Sequence, residues 1–439
     1  MSDERALAWT HLLPHDVAYQ PVGGPEWWQE ALRARSCPGG KPVMVLWTST
    51  TAAGFDPAAA AGLVAVNPPL QMVRALKAAG FARIRQFAVL PGIHDPRWFV
   101  PLASRRIAAA AFQLYTAFRP RARVQASAVR LVARIGLPIW QRDVLIVASR
   151  APALVEELLA SAVPGPSAAV AMSTGTPGPA RKVTLASFDS AGRMLAIAKV
   201  GTTPLASQLL AQEAAFLRAL AYREDLARHC PRLLAEQATS TERIIVQEAL
   251  LGRRVGPALT SAHGALLAAL ASGPPQPATA SSLLTSLPAR LAGVPCQAAV
   301  RLHNWANQAL QEAWLPRTVV HGDFAPWNLR YRHRTLVAFD WEYARCDGLP
   351  LLDELHHHLQ VGLLLRGWTA SQALAELGRP ASPDRYGLEQ KQSRALQVIY
   401  LLDMLARRHE EGYRPEDRLF RTYTEMLERL ATRLEARAA

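Results

Sequence analysis

The most informative part of this sequence is Val319-Val-His-Gly-Asp-Phe-Ala-Pro-Trp-Asn-Leu-Arg-Tyr331, continued after three residues by Thr335-Leu-Val-Ala-Phe-Asp-Trp-Glu-Tyr343. A short apolar strand leads into a loop that holds Asp323 and, five residues later, Asn328. A second apolar strand ends at Asp340, twelve residues after Asn328. Each strand therefore delivers an oxygen-bearing side chain at its end, which is typical of a phosphate or metal site.

We predict strands over 318–320 and 336–339, paired as a hairpin that brings Asp323, Asn328 and Asp340 together. Transfer of a phosphoryl group from a magnesium nucleotide needs such a set. One carboxylate positions and deprotonates the attacking hydroxyl, while an amide and a second carboxylate hold the metal against the phosphates. Two side chains suffice because Mg²⁺ keeps several of its waters.

This pattern resembles the aminoglycoside phosphotransferase and choline kinase family, which has the protein-kinase-like fold. The resemblance implies that Asp323 is the catalytic base, that Asn328 and Asp340 bind Mg²⁺, and that His321 supports the loop. Further along the chain Asp353 fits the family's pattern as a structural brace of the loop. ATP and Mg²⁺ are the implied cofactors.

The fold also implies upstream parts: a lysine on a strand, a helix glutamate that holds it, and a glycine-rich phosphate loop. Lys199 ends a predicted strand, and Glu213 follows fourteen residues later in a helix. Gly175 and Gly178 precede the strand predicted over 182–188, although their spacing departs from the usual glycine pattern. That departure leaves the choice of nucleotide open.

The strand from Arg243 runs into a glycine turn, where the resemblance implies that the backbones of Glu248 and Leu250 meet adenine. The resemblance covers about residues 170–439. We therefore predict an α+β chain whose residues 168–439 form a bilobal kinase-like phosphotransferase domain. Its N-lobe is predicted over 168–250 and its C-lobe over 251–439.

Residues 1–165 are predicted to form a smaller α/β accessory domain of unknown function. Residues 76–92, LKAAGFARIRQFAVLPG, resemble the last part of class I methyltransferases. The glycine-rich cofactor loop of such enzymes has no counterpart at 48–54, where the sequence is TSTTAAG. We therefore expect no methyl transfer.

The chain has 49 basic and 35 acidic residues, a net charge of +14. Ten arginines and one acid, Asp143, lie between Arg97 and Arg150. Two helices over 102–118 and 121–135 are predicted to carry most of them. Such helices are either a solvated face or a contact with anionic lipid. We expect no nucleic-acid binding, because no recognised module accompanies the charge.

The sequence has 439 residues, of which 50% are hydrophobic, so it is long enough for two or three folded domains. Its four cysteines form no CxxC pair, which favours reduced thiols and a cytoplasmic protein. The N-terminus carries acids where a signal peptide has a basic start, and no apolar run is long enough to span a membrane. Attachment to the inner face of the membrane stays compatible with these features.

The acceptor is expected to be a small molecule with a hydroxyl group. Residues 253–316 contain one acid, Glu312, against four arginines, which gives a cation little attraction. A sugar, a polyol or a lipid-linked sugar is therefore favoured over an aminoglycoside, although acids such as Glu410 and Glu411 in the last helices leave that argument partial. A catalytically silent scaffold is a third alternative, disfavoured because the full catalytic set is present. The run 356–358, three histidines, is interpreted as structural because consecutive helical side chains point in different directions.

Overall fold

The computed structural model describes residues 7–47, 60–69, 71–114, 120–137, 143–175, 177–240, 242–379 and 383–438. The chain divides into two compact units. The first unit comprises Met1–Ser207 and Leu233–Ala249, and the second comprises Gln208–Arg232 and Leu250–Ala439. The mixture of one large sheet with many helices confirms the predicted α+β class.

The first unit contains eleven strands and five complete helices within its described residues. The strands are β1 (Val17–Val22), β2 (Lys41–Trp47), β3 (Gly62–Val66), β4 (Arg83–Leu90), β5 (Trp98–Pro101), β6 (Asp143–Ser149), β7 (Ala169–Ser173), β8 (Lys182–Phe188), β9 (Met194–Gly201), β10 (Leu233–Ala238) and β11 (Arg243–Glu248). The helices are α1 (Glu26–Arg35), α2 (Met72–Ala78), α3 (Arg105–Ala111), α4 (Pro120–Ile135) and α5 (Leu154–Ala162), and α6 (Pro204–Ala221) begins in this unit.

All eleven strands belong to one sheet, in the order β1-β2-β3-β6-β4-β5-β7-β8-β9-β11-β10. The parallel part, β1 to β3, comes from the start of the chain, and the remaining neighbours are antiparallel. The sheet crosses the predicted domain boundary at 165–168 through β5 and β7, where Phe99 lies opposite Met172. The two sides of that predicted boundary are therefore joined by backbone hydrogen bonds.

They also share a hydrophobic core. Val155 and Leu159, on one face of α5, belong to the same buried cluster as Leu185, Val200 and Val246 of the strands that follow. Burying apolar surface is the main favourable contribution to folding, so the two segments stabilise each other. The predicted accessory domain over 1–165 stays a prediction, and the structure joins these residues to the strands that follow.

The arginine-rich segment contains helices close to the predicted ones. The first, predicted over 102–118, is α3 extended by a short 3₁₀ turn to Leu114, and residues 115–119 lie outside the described part. Ser104 caps α3 by accepting a hydrogen bond from the Ile107 N–H at 3.2 Å. The second, predicted over 121–135, is α4, whose buried Ala133 packs in the same cluster as the alanines of α3.

In its described residues, the second unit contains seven short strands and most of the helices. Its strands are β12 (Arg253–Arg254), β13 (Pro275–Pro277), β14 (Trp314–Pro316), β15 (Thr318–Val320), β16 (Leu329–Arg332), β17 (Thr335–Ala338) and β18 (Arg345–Gly348). Its helices, besides the rest of α6, are α7 (Glu224–Ala227), α8 (Ser261–Leu270), α9 (Ser282–Leu291), α10 (Ala298–Leu310), α11 (Leu352–Gln360), α12 (Ala370–Glu376), α13 (Gln390–Glu410) and α14 (Arg418–Ala438). Apolar residues of α9 to α14 form one buried cluster around α13.

The pairing of the short strands differs from the prediction. The strand at 318–320, β15, pairs with β18 and not with the strand that ends at Asp340. That strand, β17, forms its hairpin with β16, which follows the loop. Residues 208–232, predicted within the N-lobe, group with the second unit, and the later division falls at 249/250. None of the helices in the described ranges has the length and apolar character needed to cross a membrane.

Candidate active site

The β16–β17 hairpin brings two of the predicted side chains to its open end. Leu329 lies opposite Ala338, and the Phe339 N–H donates to the Asn328 carbonyl at 3.0 Å. Asn328 and Asp340 therefore flank the point where the two strands separate. The Asn328 Nδ2 amide also donates to the Asp323 Oδ2 at 2.8 Å and to the Asp323 carbonyl at 3.0 Å. The structure thus brings Asp323 and Asn328 into contact, and Asp340 follows the end of β17, although a different pair of strands from the predicted one forms the hairpin.

His321 joins the loop of Asp323 to the end of β17. Its ring is fully buried, and its Nε2 lies 3.1 Å from the Phe339 carbonyl. The Asp323 N–H donates to His321 Nδ1 at 3.2 Å. Burial lowers the pKa of His321 and so favours the neutral ring. A neutral ring with hydrogen on Nε2 satisfies both contacts and fixes the loop against the strand.

Asp353, near the start of α11, braces the same loop from the other side. Its two carboxylate oxygens accept hydrogen bonds from the backbone N–H groups of His321 at 2.7 Å and Gly322 at 3.0 Å. Gly322 has a φ of +80°, and a Cβ at this position would lie 2.4 Å from the Tyr343 carbonyl. Glycine is therefore required here both for the backbone conformation and for the close approach.

The donor set at the hairpin end suits a hard cation. Both Asn328 amide contacts use the nitrogen, so its oxygen is the atom left to face a metal. Asp340 supplies a carboxylate from a residue with a φ of +71°, a conformation that costs energy for most residues other than glycine. Carboxylate and amide oxygens are what Mg²⁺ prefers, so the residues present fit the implied ion.

Glu213 lies next to this end of the hairpin. It is fully buried on α6 and accepts a hydrogen bond from the Trp341 N–H at 3.3 Å. Phe216, one turn further along α6, stacks on the Trp341 indole with ring centroids 5.2 Å apart. The residue that follows Asp340 is thus fixed by a polar and an aromatic contact.

Of the remaining predicted residues, Lys199 lies in the first unit. Lys199 is 8% exposed on β9, between Thr184 of β8 and Ile245 of β11. Its predicted pairing with Glu213 stays a prediction because the two residues belong to different units.

The predicted phosphate loop and hinge have the expected places along the chain. Gly175 and Gly178 lie in the connection from β7 to β8, and Gly175 has a φ of +71°. Glu248 ends β11, and Leu250 is the first residue of the returning second unit. Contact of these residues with a nucleotide stays a prediction.

Two residues at the site were missed by the sequence interpretation. His356 Nε2 lies 2.8 Å from Asp323 Oδ1, whereas all three consecutive histidines were interpreted as structural. Arg407 Nη1 donates to the Gly322 carbonyl at 2.8 Å. A signal for His356 was present, because it follows Asp353 by three residues and so shares the face of α11 that braces the loop.

A buried charge network lies behind the loop. Asp403 of α13 contacts three arginines: Arg290 at 2.5 Å, Arg345 at 3.2 Å and Arg407 at 3.7 Å. Burial opposes ionisation of Asp403, but Arg345, Arg407 and Arg290 outweigh it and hold its pKa below the ordinary range. Arg290 also pairs with Glu410 at 2.7 Å. The acids of α13 are therefore already neutralised by arginines.

Comparison with known proteins finds a similarity to one protein family over part of the chain. The sequence profile of the phosphotransferase enzyme family matches residues 190–355, a range that includes Lys199, Glu213, Asp323 and Asp340. No curated protein sequence matches the chain.

Several solved structures are similar. The aminoglycoside phosphotransferase APH(3'')-Id from Streptomyces rimosus shares 15% identity with a TM-score of 0.34, over 50% of this chain and 88% of that one. A protein assigned as a fructosamine-3-kinase from Haemophilus somnus shares 11% identity with a TM-score of 0.40, over 58% and 89%. Spectinomycin phosphotransferase APH(9)-Ia shares 11% identity with a TM-score of 0.32, over 61% and 93%. The profile match confirms that residues 190–355 carry the phosphotransferase family pattern predicted from the loop of Asp323.

Proposed function

We propose that this protein transfers the γ-phosphate of ATP to a hydroxyl group of a small molecule. The observation that carries the proposal is the arrangement of Asp323 and Asn328 at the open end of the β16–β17 hairpin, beside Asp340. The loop is fixed from both sides by His321 and Asp353. Preorganisation of this kind is what phosphoryl transfer requires of a protein.

In this function Asp323 orients the acceptor hydroxyl and takes its proton as the oxygen attacks phosphorus. Asn328 and Asp340 would hold the magnesium ion, which neutralises phosphate charge when bound. Asn328 has a second role, because its amide donates to Asp323 and keeps the carboxylate plane in place. The chain's own contribution is position and charge, with little covalent chemistry.

The predicted residues of the nucleotide site complete the proposal. Lys199 would orient the α- and β-phosphates, with Glu213 holding the lysine as the family resemblance implies. Gly175 would cover the phosphates, and the backbones of Glu248 and Leu250 would meet adenine. Lys199→Met is expected to weaken ATP binding.

The first test is the thermal stability of the full chain with MgATP and with MgGTP. A ligand that binds only the folded state stabilises it by about 2.7 kcal/mol at a hundredfold excess over its Kd. We expect a magnesium-dependent rise in Tm that Asp340→Ala removes and Asp323→Asn keeps. Asp323→Asn should abolish phosphate transfer. No shift with either nucleotide would favour a silent scaffold, and full activity of Asp323→Asn would refute the assignment of the base.

The charges near the site favour an acceptor that is not a cation. Asp403 and Glu410, which could attract one, are already bound by Arg290, and Asp403 also by Arg345. We therefore assign a neutral or anionic acceptor, such as a sugar, a polyol or a lipid-linked sugar. Phosphate transfer from labelled ATP to these compounds, compared with streptomycin and choline, tests the assignment. Preference for either cation would contradict it.

The lipid-linked version has support from α4. Val124, Leu131 and Ile135 lie along one face of this helix and are 70%, 61% and 53% exposed. Arg130 and Arg134 are exposed beside them. An apolar stripe flanked by arginines fits the surface of an anionic bilayer, which binds both features. Peripheral contact through this helix would place the enzyme next to a lipid-linked acceptor.

Sedimentation with vesicles of neutral lipid, and of neutral lipid mixed with phosphatidylglycerol, tests this contact. We expect binding to the anionic vesicles only, weakened by salt and by the double change Leu131→Ser and Ile135→Ser. Val300→Ser is the control, because Val300 is 64% exposed on α10 and does not belong to the arginine-rich segment of the sequence. Absence of binding to anionic vesicles, together with transfer to soluble acceptors only, would exclude the lipid-linked version.

A further inference from the structure

The carboxylate of Asp323 has two side-chain partners, one on each oxygen. Asn328 Nδ2 donates to Oδ2, and His356 Nε2 lies 2.8 Å from Oδ1. His356 is buried on α11, whereas the Asp323 side chain is 27% exposed. The loop therefore presents its carboxylate to solvent while both oxygens are bound from behind.

The other side of the His356 ring faces a chain of polar side chains in the core of the second unit. His356 Nδ1 lies 3.3 Å from the Tyr400 hydroxyl. Tyr423 interacts in turn with Tyr400, and Gln360 Nε2 donates to the Tyr423 hydroxyl at 2.8 Å. All of these groups are buried.

The directions of the two His356 hydrogen bonds follow from the Asp323 carboxylate, which can only accept. His356 Nε2 therefore carries the ring hydrogen that points at Asp323 Oδ1. Nδ1 of the neutral ring is then an acceptor, and the Tyr400 hydroxyl is its donor. Burial raises the pKa of Tyr400 well above its ordinary value, so its hydroxyl keeps the hydrogen that this order needs.

We propose that His356 is a positioning residue for phosphoryl transfer, held in its Nε2–H form by Tyr400 so that it orients the carboxylate of Asp323. The proposal rests on the proposed function for its kinetic consequence, but its geometry is independent of it. With one lone pair of each oxygen occupied, the remaining lone pairs point towards the acceptor hydroxyl. A rotated carboxylate would have to be reoriented before each transfer.

The first test uses NMR of the full chain labelled with ¹⁵N-histidine, which needs no substrate. The ring signals of His356 are identified by their loss in His356→Gln. We expect the Nε2–H form at pH 7.5, and a shift of these signals in Asp323→Asn. An Nδ1–H form, or signals unmoved by Asp323→Asn, would overturn the proposal whether or not the protein binds ATP.

The second test separates kcat from nucleotide binding. His356→Leu should lower kcat for phosphate transfer, or for hydrolysis of MgATP, by about tenfold or more, because a misplaced general base loses part of its contribution. The MgATP-dependent rise in Tm should stay. His356→Gln keeps a hydrogen-bond donor at this position, so it should recover much of kcat.

The matched control is His303→Leu, since His303 is likewise buried on a helix of the second unit, α10, but its Nε2 has no hydrogen-bond partner in the described part of the chain. It should leave kcat unchanged. Equal losses of kcat in His356→Leu and His356→Gln would reduce His356 to a packing role and refute the proposal. If MgATP does not raise the Tm of the unmodified chain, the proposed function is refuted instead.

Discussion

Two buried histidines beside the catalytic loop predict a specific sensitivity of the second unit to acid. His263 of α8 and His357 of α11 are each 1% exposed, with ring centroids 5.3 Å apart. Phe324, which follows Asp323, packs against both rings. Burial lowers the pKa of His263 from 6.5 to about 4. Burial, with the neighbouring histidines, lowers that of His357 to about 3.

The sign and the size follow from these values. Between pH 6.5 and the folded values, the unfolded chain binds protons that the folded chain does not, so stability rises with pH in this window. At pH 5, the unfolded pKa of 6.5 lies 1.5 units above the pH, which at about 1.36 kcal/mol per unit gives about 2 kcal/mol for each histidine. Because pH 5 is above both folded values, the result hardly depends on them.

Urea unfolding followed by circular dichroism at 222 nm, at pH 7.5 and at pH 5, measures this loss. The change His357→Leu removes one titrating ring and keeps an apolar side chain. We expect the drop in unfolding free energy between the two pH values to be about 2 kcal/mol smaller in this variant than in the unmodified chain. The comparison uses the difference between the two pH values, because the stability of the variant at pH 7.5 alone also depends on how the core repacks around the leucine.

The control is His333→Asn, at an exposed turn position with a φ of +55° that asparagine tolerates. It should leave the drop between pH 7.5 and pH 5 unchanged. If His357→Leu shows the same drop as the unmodified chain, the ring is not held neutral by burial, and the reasoning fails. A smaller drop in both variants would show that exposure does not distinguish the two sites.

Three other substitutions test the packing and the loop brace. Asp353→Asn leaves a backbone N–H of the catalytic loop without its acceptor, and should cost about 1–3 kcal/mol in urea unfolding and lower the rate of phosphate transfer. Gly362→Ala places a Cβ 1.9 Å from the Trp368 ring, and should cost about 1–3 kcal/mol that Trp368→Leu partly restores in the double variant. Arg85→Ala removes the paired hydrogen bonds to Glu156 in the first unit, and should lower the Tm while an effect of MgATP on the Tm persists.

The local pattern of the chain allowed β17 and several upstream elements to be predicted, but not β16 or its pairing. Apolar spacing predicted the strands β8 and β9 and the helix α6. The order of Asp323, Asn328 and Asp340 along the chain predicted them as site residues. The partner of β15 was predicted wrongly. A strand of three apolar residues carries no side-chain signal that selects its partner, because pairing uses backbone groups common to all residues.

The contacts of His356 and Arg407 could not be predicted for a different reason. Each of these side chains reaches the loop across the fold, over 33 residues for His356 and 85 for Arg407. Such contacts depend on how α11 and α13 pack, and helix packing is decided by the whole core rather than by local sequence. The predicted pairing of Lys199 with Glu213 also depends on more than local sequence, because the two residues belong to different units.

The pairing of β5 with β7 has a consequence for any shortened form of this protein. In the full chain both sides of β7 are hydrogen-bonded, to β5 on one side and to β8 on the other. A chain that started at residue 168 would present the first of these sides as an open strand edge, with buried residues such as Met172 behind it. Open edges pair with other chains and lead to aggregation. We therefore expect residues 1–165 to keep β7 from pairing with other chains. A truncated chain that lost activity would have to be tested for aggregation before the loss was assigned to the active site.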